Sequence, residues 1–234
     1  MKLIVLAAGK GTRFLPITKD IPKGLIPINR KPLLEHVLKP YLPHVSDIIF
    51  VINDELGYKL KEHFGTNFKN HNVYYVIQDK NTPKGTMSAL TLAKEHVLQE
   101  KLFCVSNCDD LLKEEEIVDA FKKQEPGIGI TFSKMPWNYL SIDTNVHGIV
   151  TGFRRHTQEE GLVLEDYFSN GFHILSNKVF EFEKIKTRDG EFGLPQTLFE
   201  NLKELTLKGF IFKKWQAVNG PSDLPNAEDF INQK

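Results

Sequence analysis

The sequence predicts an α/β fold with a doubly wound, mixed sheet, and three features of the chain support this prediction. Apolar runs that fit buried strands alternate with helix-like segments through the first half of the chain. The first of these runs ends in glycines, as a strand does when it leads into a tight loop. After residue 126 the pattern changes to short strand-like segments. We therefore expect one domain, 1–234, made of a first half, 1–125, and an inserted β-rich lobe with a closing helix, 126–234.

The composition excludes several classes of protein. With 41% hydrophobic and 26% charged residues, the chain is typical of a soluble globular protein. Thirty basic and thirty acidic residues balance, so no overall field would attract nucleic acid or a membrane. We find no apolar run of membrane-spanning length and no leader-like segment, and we expect a cytoplasmic protein. Cys104 and Cys108 are expected to be buried thiols.

The order of elements in the first half indicates parallel strands joined by helices. After a strand that begins near residue 3, strands are predicted at 47–53, 73–77 and 102–106. Helices are predicted at 31–39, 55–64, 86–94 and 114–124, the second of them ended by Gly65. Because ligands of doubly wound sheets bind beyond the carboxyl ends of the strands, the loops after these strands are the candidate site.

The loop after the first strand has the composition of a phosphate site. Gly9 and Gly11 allow a positive φ and leave backbone N–H groups uncovered, so several amides can converge on an anion. Lys10, Arg13 and Lys23 add three cations, which favours a polyphosphate. The loop is neither a complete dinucleotide fingerprint, since the third glycine is missing, nor a Walker loop.

The string Gly-x-Gly-Thr-Arg-Phe-x-Pro-x-Thr, followed by Pro-Lys-Gly-Leu-Ile-Pro-Ile, resembles the signature of the sugar-phosphate nucleotidyltransferase superfamily. The resemblance implies a Rossmann-like, GT-A-like fold. It also implies that a nucleoside triphosphate reacts with a phosphorylated acceptor, usually a sugar 1-phosphate, with Mg²⁺ as cofactor. Arg13 would stabilise the departing pyrophosphate and Lys23 would hold a reacting phosphate. The nucleotide-binding residues implied are Leu6, Ala7, Ala8, Gly9, Lys10, Gly11, Thr12, Gln78, Gly85, Thr86 and Asn107.

Gln78 follows the third predicted strand and is the candidate for base recognition. In the family a Gln before a Gly-Thr dipeptide contacts the base, and its amide suits the imide edge of uracil or thymine. Gly85 and Thr86 would provide that dipeptide. The spacing to Gly85 is wider than in several members, and Gln78 as a solvated loop residue remains an alternative.

The strand at 102–106 leads into Asn107-Cys108-Asp109, which resembles the family's Asn-Gly-Asp element. The resemblance assigns Mg²⁺ to Asp109, and a carboxylate facing a phosphate loop suits this ion. Asp110 is expected to cap the following helix. Many relatives have a second metal-binding Asp where this chain has Ala217. The run Val218-Asn219, with Leu224 five residues on, instead resembles the N-acetylglucosamine-1-phosphate uridylyltransferases, in which this Asn completes the metal site. The resemblance therefore implies Asn219 as the second ligand, with a role in a turn as the alternative.

The candidates for acceptor binding lie in the β-rich lobe and rest on weaker similarity. The family's Glu-Lys-Pro element is absent, and Arg155 or His156 would supply the missing positive charge unless both are simply solvated. The remaining candidates are Glu165, Asn170, Gly171 and Glu191. For Glu191, a favourable charge at a helix N-terminus is the alternative.

We expect UTP or dTTP as the nucleotide and a sugar 1-phosphate as the acceptor, in a possible homo-oligomer. Two alternatives stay open at this point. One is a CTP-dependent cytidylyltransferase that acts on a phosphorylated non-sugar or an unusual sugar. The other is a nucleotide-binding regulatory subunit with weakened catalysis, which Ala217 and Cys108 would favour.

Overall fold

The computed structural model describes residues 1–135, 140–155 and 164–233, and a mixed sheet forms its centre. The strands are β1 (Leu3–Ala7), β2 (Pro27–Ile28), β3 (Lys31–Pro32), β4 (Asp47–Asn53), β5 (Asn67–Phe68), β6 (His71–Gln78), β7 (Phe103–Asn107), β8 (Asp110–Leu112), β9 (Gly127–Met135), β10 (Leu140–Thr144), β11 (Val150–Arg155), β12 (Leu164–Leu175), β13 (Lys208–Ile211) and β14 (Trp215–Ala217). The helices are α1 (Leu33–Leu38), α2 (Gly57–Phe64), α3 (Thr86–Leu92), α4 (Glu114–Lys123), α5 (Leu194–Glu200) and α6 (Leu224–Asn232). The α/β class predicted from the sequence is confirmed.

The order of the strands locates the candidate site. Among the described residues, the main path through the central sheet is β11-β10-β12-β7-β1-β4-β6-β5, and β9 joins β12 to β13. Strand β1 pairs in parallel with β4 on one side and with β7 on the other. The chain therefore winds outward from β1 in both directions. The crevice beyond the carboxyl ends of β1 and β7 is the place where such sheets bind ligands.

The central strands are apolar because both faces of the sheet are covered. All five residues of β1 are buried, and alternate residues belong to different cores. Leu3 and Val5 face the core that includes α1, α2, α4 and α6. Ile4 and Leu6 face the core that includes α3 and α5. Both cysteines are buried free thiols, as expected from the sequence.

The second half of the chain continues the same sheet. Strand β12 pairs antiparallel with β7 of the first half and with β9 of the second half. The strands of the predicted lobe therefore extend the central sheet of the first half. The division at residue 125 stays a prediction. The helix predicted at 31–39 begins later, at Leu33, because residues 31–32 pair with β2. No helix in the described ranges has the length and apolarity needed to cross a bilayer.

Candidate functional site

The glycine loop after β1 folds back onto the segment that carries Lys23. Gly11 has a φ of 63°, and a Cβ added there would lie 3.0 Å from Thr18 Cγ2 and 3.2 Å from Lys23 Cβ. The Thr18 hydroxyl donates a hydrogen bond of 2.8 Å to the Gly11 carbonyl. Gly9, in contrast, has open space where a side chain would stand. The loop is therefore fixed at residue 11 and leaves room for a ligand beside residue 9.

Of the three cations predicted near the loop, Lys23 is the one that contacts the end of β7. Its Nζ donates to Asp109 Oδ2, and the two side chains are 11% and 24% exposed. Lys10 instead pairs with Glu55 at 2.6 Å, and both side chains are more than half exposed. Arg13 is exposed. The Lys23–Asp109 pair therefore joins the predicted phosphate loop to the predicted metal ligand.

The prediction that Asp110 caps a helix is wrong. Asp110 begins β8, which pairs with β14, and α4 starts only at Glu114 with no side-chain cap. The Asp110 carboxylate is buried and accepts hydrogen bonds from Asn107 Nδ2 at 2.9 Å and Trp215 Nε1 at 2.8 Å. Burial, followed by the nearby charge of Asp109, raises the pKa of Asp110. This second carboxylate belongs to the site.

Asp109 and Asn219 offer a donor set that fits Mg²⁺ bound together with substrate. The Val218 N–H donates to the Asp109 carbonyl at 2.9 Å, and Asp109 and Asn219 line the same cavity. One carboxylate and one amide oxygen are hard ligands that leave coordination positions for water and phosphate oxygens. Within the described ranges, no group of three or more His, Cys, Asp or Glu residues could enclose a metal ion by itself.

A cavity of about 260 Å³ opens beside Asp109, between β7, β12, α5 and β14. Its walls are apolar or neutral apart from two carboxylates, and no lysine or arginine lines it within the described part of the chain. The lining residues are Thr86, Asn107, Asp109, Asp110, Leu140, Ser169, Gly171, His173, Leu194, Pro195, Trp215, Ala217 and Asn219. The cavity adjoins the predicted metal ligands and is the candidate acceptor site.

Strand β12 presents residues to this cavity other than the predicted asparagine. Asn170 is fully buried, donates to Thr131 Oγ1 at 3.1 Å and accepts from the Phe172 N–H. Its side chain therefore points into the protein core. The prediction that Asn170 contacts the acceptor is wrong. Gly171 does line the cavity, with a φ of 81°.

Two more predicted acceptor contacts do not reach the cavity. Glu165 is exposed and lies about 13 Å along the strand from Ser169, at about 3.3 Å per residue. Glu191 is exposed as well, and its carbonyl accepts the Thr187 N–H at 2.6 Å. Neither glutamate is among the lining residues. The side chain of Arg155 and the whole of His156 lie outside the described residues.

The predicted base-reading loop is fastened to the segment before α5. The Gln78 amide donates to the Pro83 carbonyl at 3.0 Å. Gly85 has a φ of 111°, and a Cβ there would lie 2.2 Å from the Phe192 carbonyl oxygen. The Phe192 N–H in turn donates to the Lys84 carbonyl at 2.8 Å. Thr86 Oγ1 accepts the Leu194 N–H at 2.8 Å, so Thr86 connects this loop to the cavity wall.

Sequence reasoning missed several cavity residues. Ser169 and His173 lie two residues on either side of the predicted Gly171, but strand alternation gave no signal for them, because the pairing of β12 with β9 is irregular between Ser169 and His173 and Gly171 has a φ of 81°. The contact of Trp215 with Asp110 had no signal either, because it joins residues 105 positions apart.

His173 gives the fold a specific pH dependence. The residue is 4% exposed, and burial lowers the pKa of its imidazole to about 4 from 6.5. As the pH falls from 6.5 to about 4, the unfolded chain binds a proton at His173 that the folded chain excludes. This difference removes up to about 3 kcal/mol from the free energy of unfolding. Urea unfolding of wild type and His173→Gln between pH 7 and pH 4 checks this. The two curves of stability against pH should diverge, and parallel curves would contradict the prediction.

Comparisons with known proteins agree with the geometry. A family model described as nucleotidyl transferase matches residues 2–234. The chain is 30% identical over 241 residues to the bifunctional protein GlmU of Methanococcus maripaludis, and the alignment covers 100% of this chain and 55% of the relative. The chain thus spans about half the length of the curated relatives that it matches first.

Two solved structures share the fold. A putative glucose-1-phosphate thymidylyltransferase from Bacillus anthracis superimposes with a TM-score of 0.82 at 21% identity, covering 100% of this chain and 96% of that one. A UDP-glucose pyrophosphorylase superimposes with a TM-score of 0.82 at 22% identity, covering 97% of each chain. At these identities the similarity concerns the fold.

Proposed function

Because the chain belongs to the nucleotidyl transferase family, we propose that it joins a nucleoside triphosphate to a sugar 1-phosphate and releases pyrophosphate. The observation that carries this proposal is the contact of Lys23 with Asp109. This contact brings the glycine loop to the mouth of the cavity, so a triphosphate and a phosphorylated acceptor would meet there. Two polyanions need charge neutralisation and alignment, and these residues are suited to both.

In the proposed reaction, an oxygen of the acceptor phosphate attacks the α-phosphorus in line. The bond from this phosphorus to the bridging oxygen of the β-phosphate breaks, and pyrophosphate leaves with the electron pair. The acceptor oxygen is already anionic at neutral pH, so no protein base is needed. Amides of residues 8–13 hold the triphosphate, Arg13 stabilises the leaving group, and Lys23 holds a reacting phosphate.

Asp109 and Asn219 are the proposed holders of Mg²⁺, with Asn107 and Thr86 beside them at the cavity wall. The ion supplies charge neutralisation of the phosphate oxygens. Lys23 balances the charge of Asp109 in this structure, and a bound Mg²⁺ would share that carboxylate with it.

UTP or dTTP is the proposed nucleotide, since Gln78 lies at the end of β6 beside the crevice and its amide matches an imide edge. Gln78 donates to Pro83 here, and its carbonyl oxygen remains as an acceptor for the base N–H. Gly85 and Thr86 complete the proposed base-side wall. The acceptor contacts are assigned to Ser169, Gly171 and Trp215 in place of Asn170.

A pyrophosphate-release assay tests the proposed function. The five common triphosphates are each incubated with Mg²⁺ and with a panel of sugar 1-phosphates and non-sugar phosphate esters. We expect release with UTP or dTTP that depends on an added acceptor. Acceptor-dependent release with CTP, and with none of the other four triphosphates, would support the cytidylyltransferase alternative. A ligand-induced thermal shift without any release would support the regulatory subunit.

Arg13 and Lys10, two cations of the glycine loop, are expected to contribute unequally to kcat/KM. Arg13 is exposed beside the loop, whereas Lys10 is held by Glu55 at 2.6 Å. Arg13→Ala should therefore lower kcat/KM about tenfold more than Lys10→Ala, a difference of about 1.4 kcal/mol in transition-state binding. Steady-state kinetics of the two single variants measure this, and equal losses would contradict the assigned roles.

A further inference from the structure

We propose that Asn53 and Thr18 are positioning residues, which aim the N–H groups of Gly9 and Thr12 at the triphosphate. This inference rests on the proposed function, because it specifies which amides of the glycine loop bind phosphate and what orients them. In a trans peptide the C=O of one residue and the N–H of the next point in opposite directions. A side chain that holds a carbonyl therefore also sets the direction of the following N–H.

The first contact that orients the loop is made by the side-chain amide of Asn53, at the end of β4. Its Oδ1 accepts the Leu56 N–H at 2.8 Å, which fixes the orientation of the amide group. Its Nδ2 donates to the Ala8 carbonyl at 3.4 Å. Because β1 lies between β4 and β7, a carbonyl held toward β4 turns the Gly9 N–H toward β7. That side of the crevice carries the proposed magnesium ligand, Asp109, just after β7.

The second contact is made by the hydroxyl of Thr18, a residue that is only 5% exposed. The Gly11 carbonyl accepts hydrogen bonds from Thr18 Oγ1 and from the Phe14 N–H, each at 2.8 Å. Since two donors hold this oxygen toward the protein, the Thr12 N–H faces the opposite way. Gly11 has a φ of 63° and a ψ of 36°, and a left-handed residue of this kind makes successive N–H groups converge into an anion-binding nest.

The amides of the loop have no competing partner in the described part of the chain. Residues 9–11 lie between β1 and the short turn Thr12–Phe14, and none of their N–H groups donates to a protein acceptor there. Nothing lies within 4 Å of a Cβ added at Gly9, so the loop is open at this point. Donors that are already aimed need no reorganisation when an anion binds, and their orientation therefore affects affinity.

Amide resonances of the ¹⁵N-labelled protein test the direction of these N–H groups. Tripolyphosphate is the probe, because it carries the phosphates of a nucleoside triphosphate without a base. We expect the amide protons of Gly9 and Thr12 to shift downfield as hydrogen bonds to phosphate form, while that of Gly65, which donates to the Lys61 carbonyl, stays in place. Binding that leaves Gly9 and Thr12 unshifted, or no binding to the wild-type protein, would overturn the inference.

Matched variants test the two side chains. Thr18→Val removes the hydroxyl and keeps the shape, whereas Thr18→Ser keeps the hydroxyl. Asn53→Ser keeps an acceptor for the turn and is too short to reach the Ala8 carbonyl. We expect Thr18→Val and Asn53→Ser each to bind tripolyphosphate and UTP about tenfold more weakly in titration calorimetry, the effect of weakening one hydrogen bond to a charged group. Thr18→Ser should bind like the wild type, and so should Asn72→Ser, which removes an amide donor at the opposite end of the strands.

A purely structural role for the two side chains gives different results. If Thr18→Val and Asn53→Ser lose stability in urea but bind tripolyphosphate as tightly as the wild type, the inference is wrong. Their KM for the triphosphate should rise while the KM for the acceptor stays unchanged, and an equal rise in both would contradict it. Pyrophosphate release with unshifted amides would leave the proposed function standing without the inference. Shifted amides in a protein that releases no pyrophosphate with any tested pair would contradict the proposed function alone.

Discussion

Replacing Asp109 by alanine is expected to lower kcat by about 100- to 1000-fold, or about 2.7–4 kcal/mol, the loss typical of removing one preorganised electrostatic group. The change removes the proposed magnesium carboxylate and also leaves Lys23 without its ion-pair partner. Asp109→Asn keeps the size of the side chain and should lose nearly as much, because an amide oxygen is a weaker ligand for Mg²⁺ than a carboxylate. Pyrophosphate release under saturating substrates measures both variants.

Two controls separate this loss from a folding defect. Cys108→Ala shortens the neighbouring buried side chain and removes no proposed ligand, so it should retain turnover close to wild type. Asp119→Asn removes an equal charge from an exposed position on α4. If Asp109→Ala turned over at a rate close to that of either control, the magnesium assignment would have to be abandoned.

Gly171→Ala is expected to destabilise the folded state by about 3 kcal/mol or more, because strain at a positive φ and overpacking each cost about 1–3 kcal/mol. A Cβ at this position would lie 2.0 Å from Asp110 Oδ2 and 2.8 Å from Asn107 Nδ2. The methyl group would therefore displace the buried carboxylate from its hydrogen bonds. Urea unfolding followed by circular dichroism gives the change in the free energy of unfolding.

Gly190→Ala is the matched control for the backbone conformation. Gly190 has the same φ of 81°, but no atom lies within 4 Å of its added Cβ. This variant should lose only about 1–2 kcal/mol, the usual cost of a left-handed conformation for a residue with a side chain. Equal losses in the two variants would show that contact with Asp110 is not what requires glycine at residue 171.

The sequence predicts the first half of the fold well because its signals are local. Buried strands such as β1 and β4 are continuous apolar runs, and Gly65 ends α2 with a φ of 60°, as its position suggests. The glycine loop and Lys23 lie close together in sequence. Their contact with Asp109 follows from the rule that strand ends of a doubly wound sheet share one crevice.

The acceptor side was harder to predict because its contacts are long-range. Asp110 follows a strand and precedes a helix, so local reasoning assigns it to a cap. What decides its role is pairing with β14, more than 100 residues later. The contact predicted for Asn170 is wrong for a different reason, since its buried side chain bonds to Thr131 and Phe172 while Ser169 and Gly171 line the cavity. A polar residue in a strand binds a ligand only if its side of the sheet faces one.

The backbone contact of residues 84–87 with Phe192, called the clasp below, has an evolutionary consequence. It consists of the hydrogen bonds from the Phe192 N–H to the Lys84 carbonyl and from the Met87 N–H to the Phe192 carbonyl. Residues 79–83 close on themselves, since the Asn81 and Thr82 N–H groups both donate to Asp79 Oδ1 at 2.8 Å. Beyond this turn, the backbone bonds to Phe192 anchor the chain before it enters α3. Insertions or deletions before the clasp would thus be absorbed locally, and the cavity wall at Leu194 would keep its place. Descendants of this chain could therefore change the length of the turn while inheriting an unchanged cavity beside Asp109.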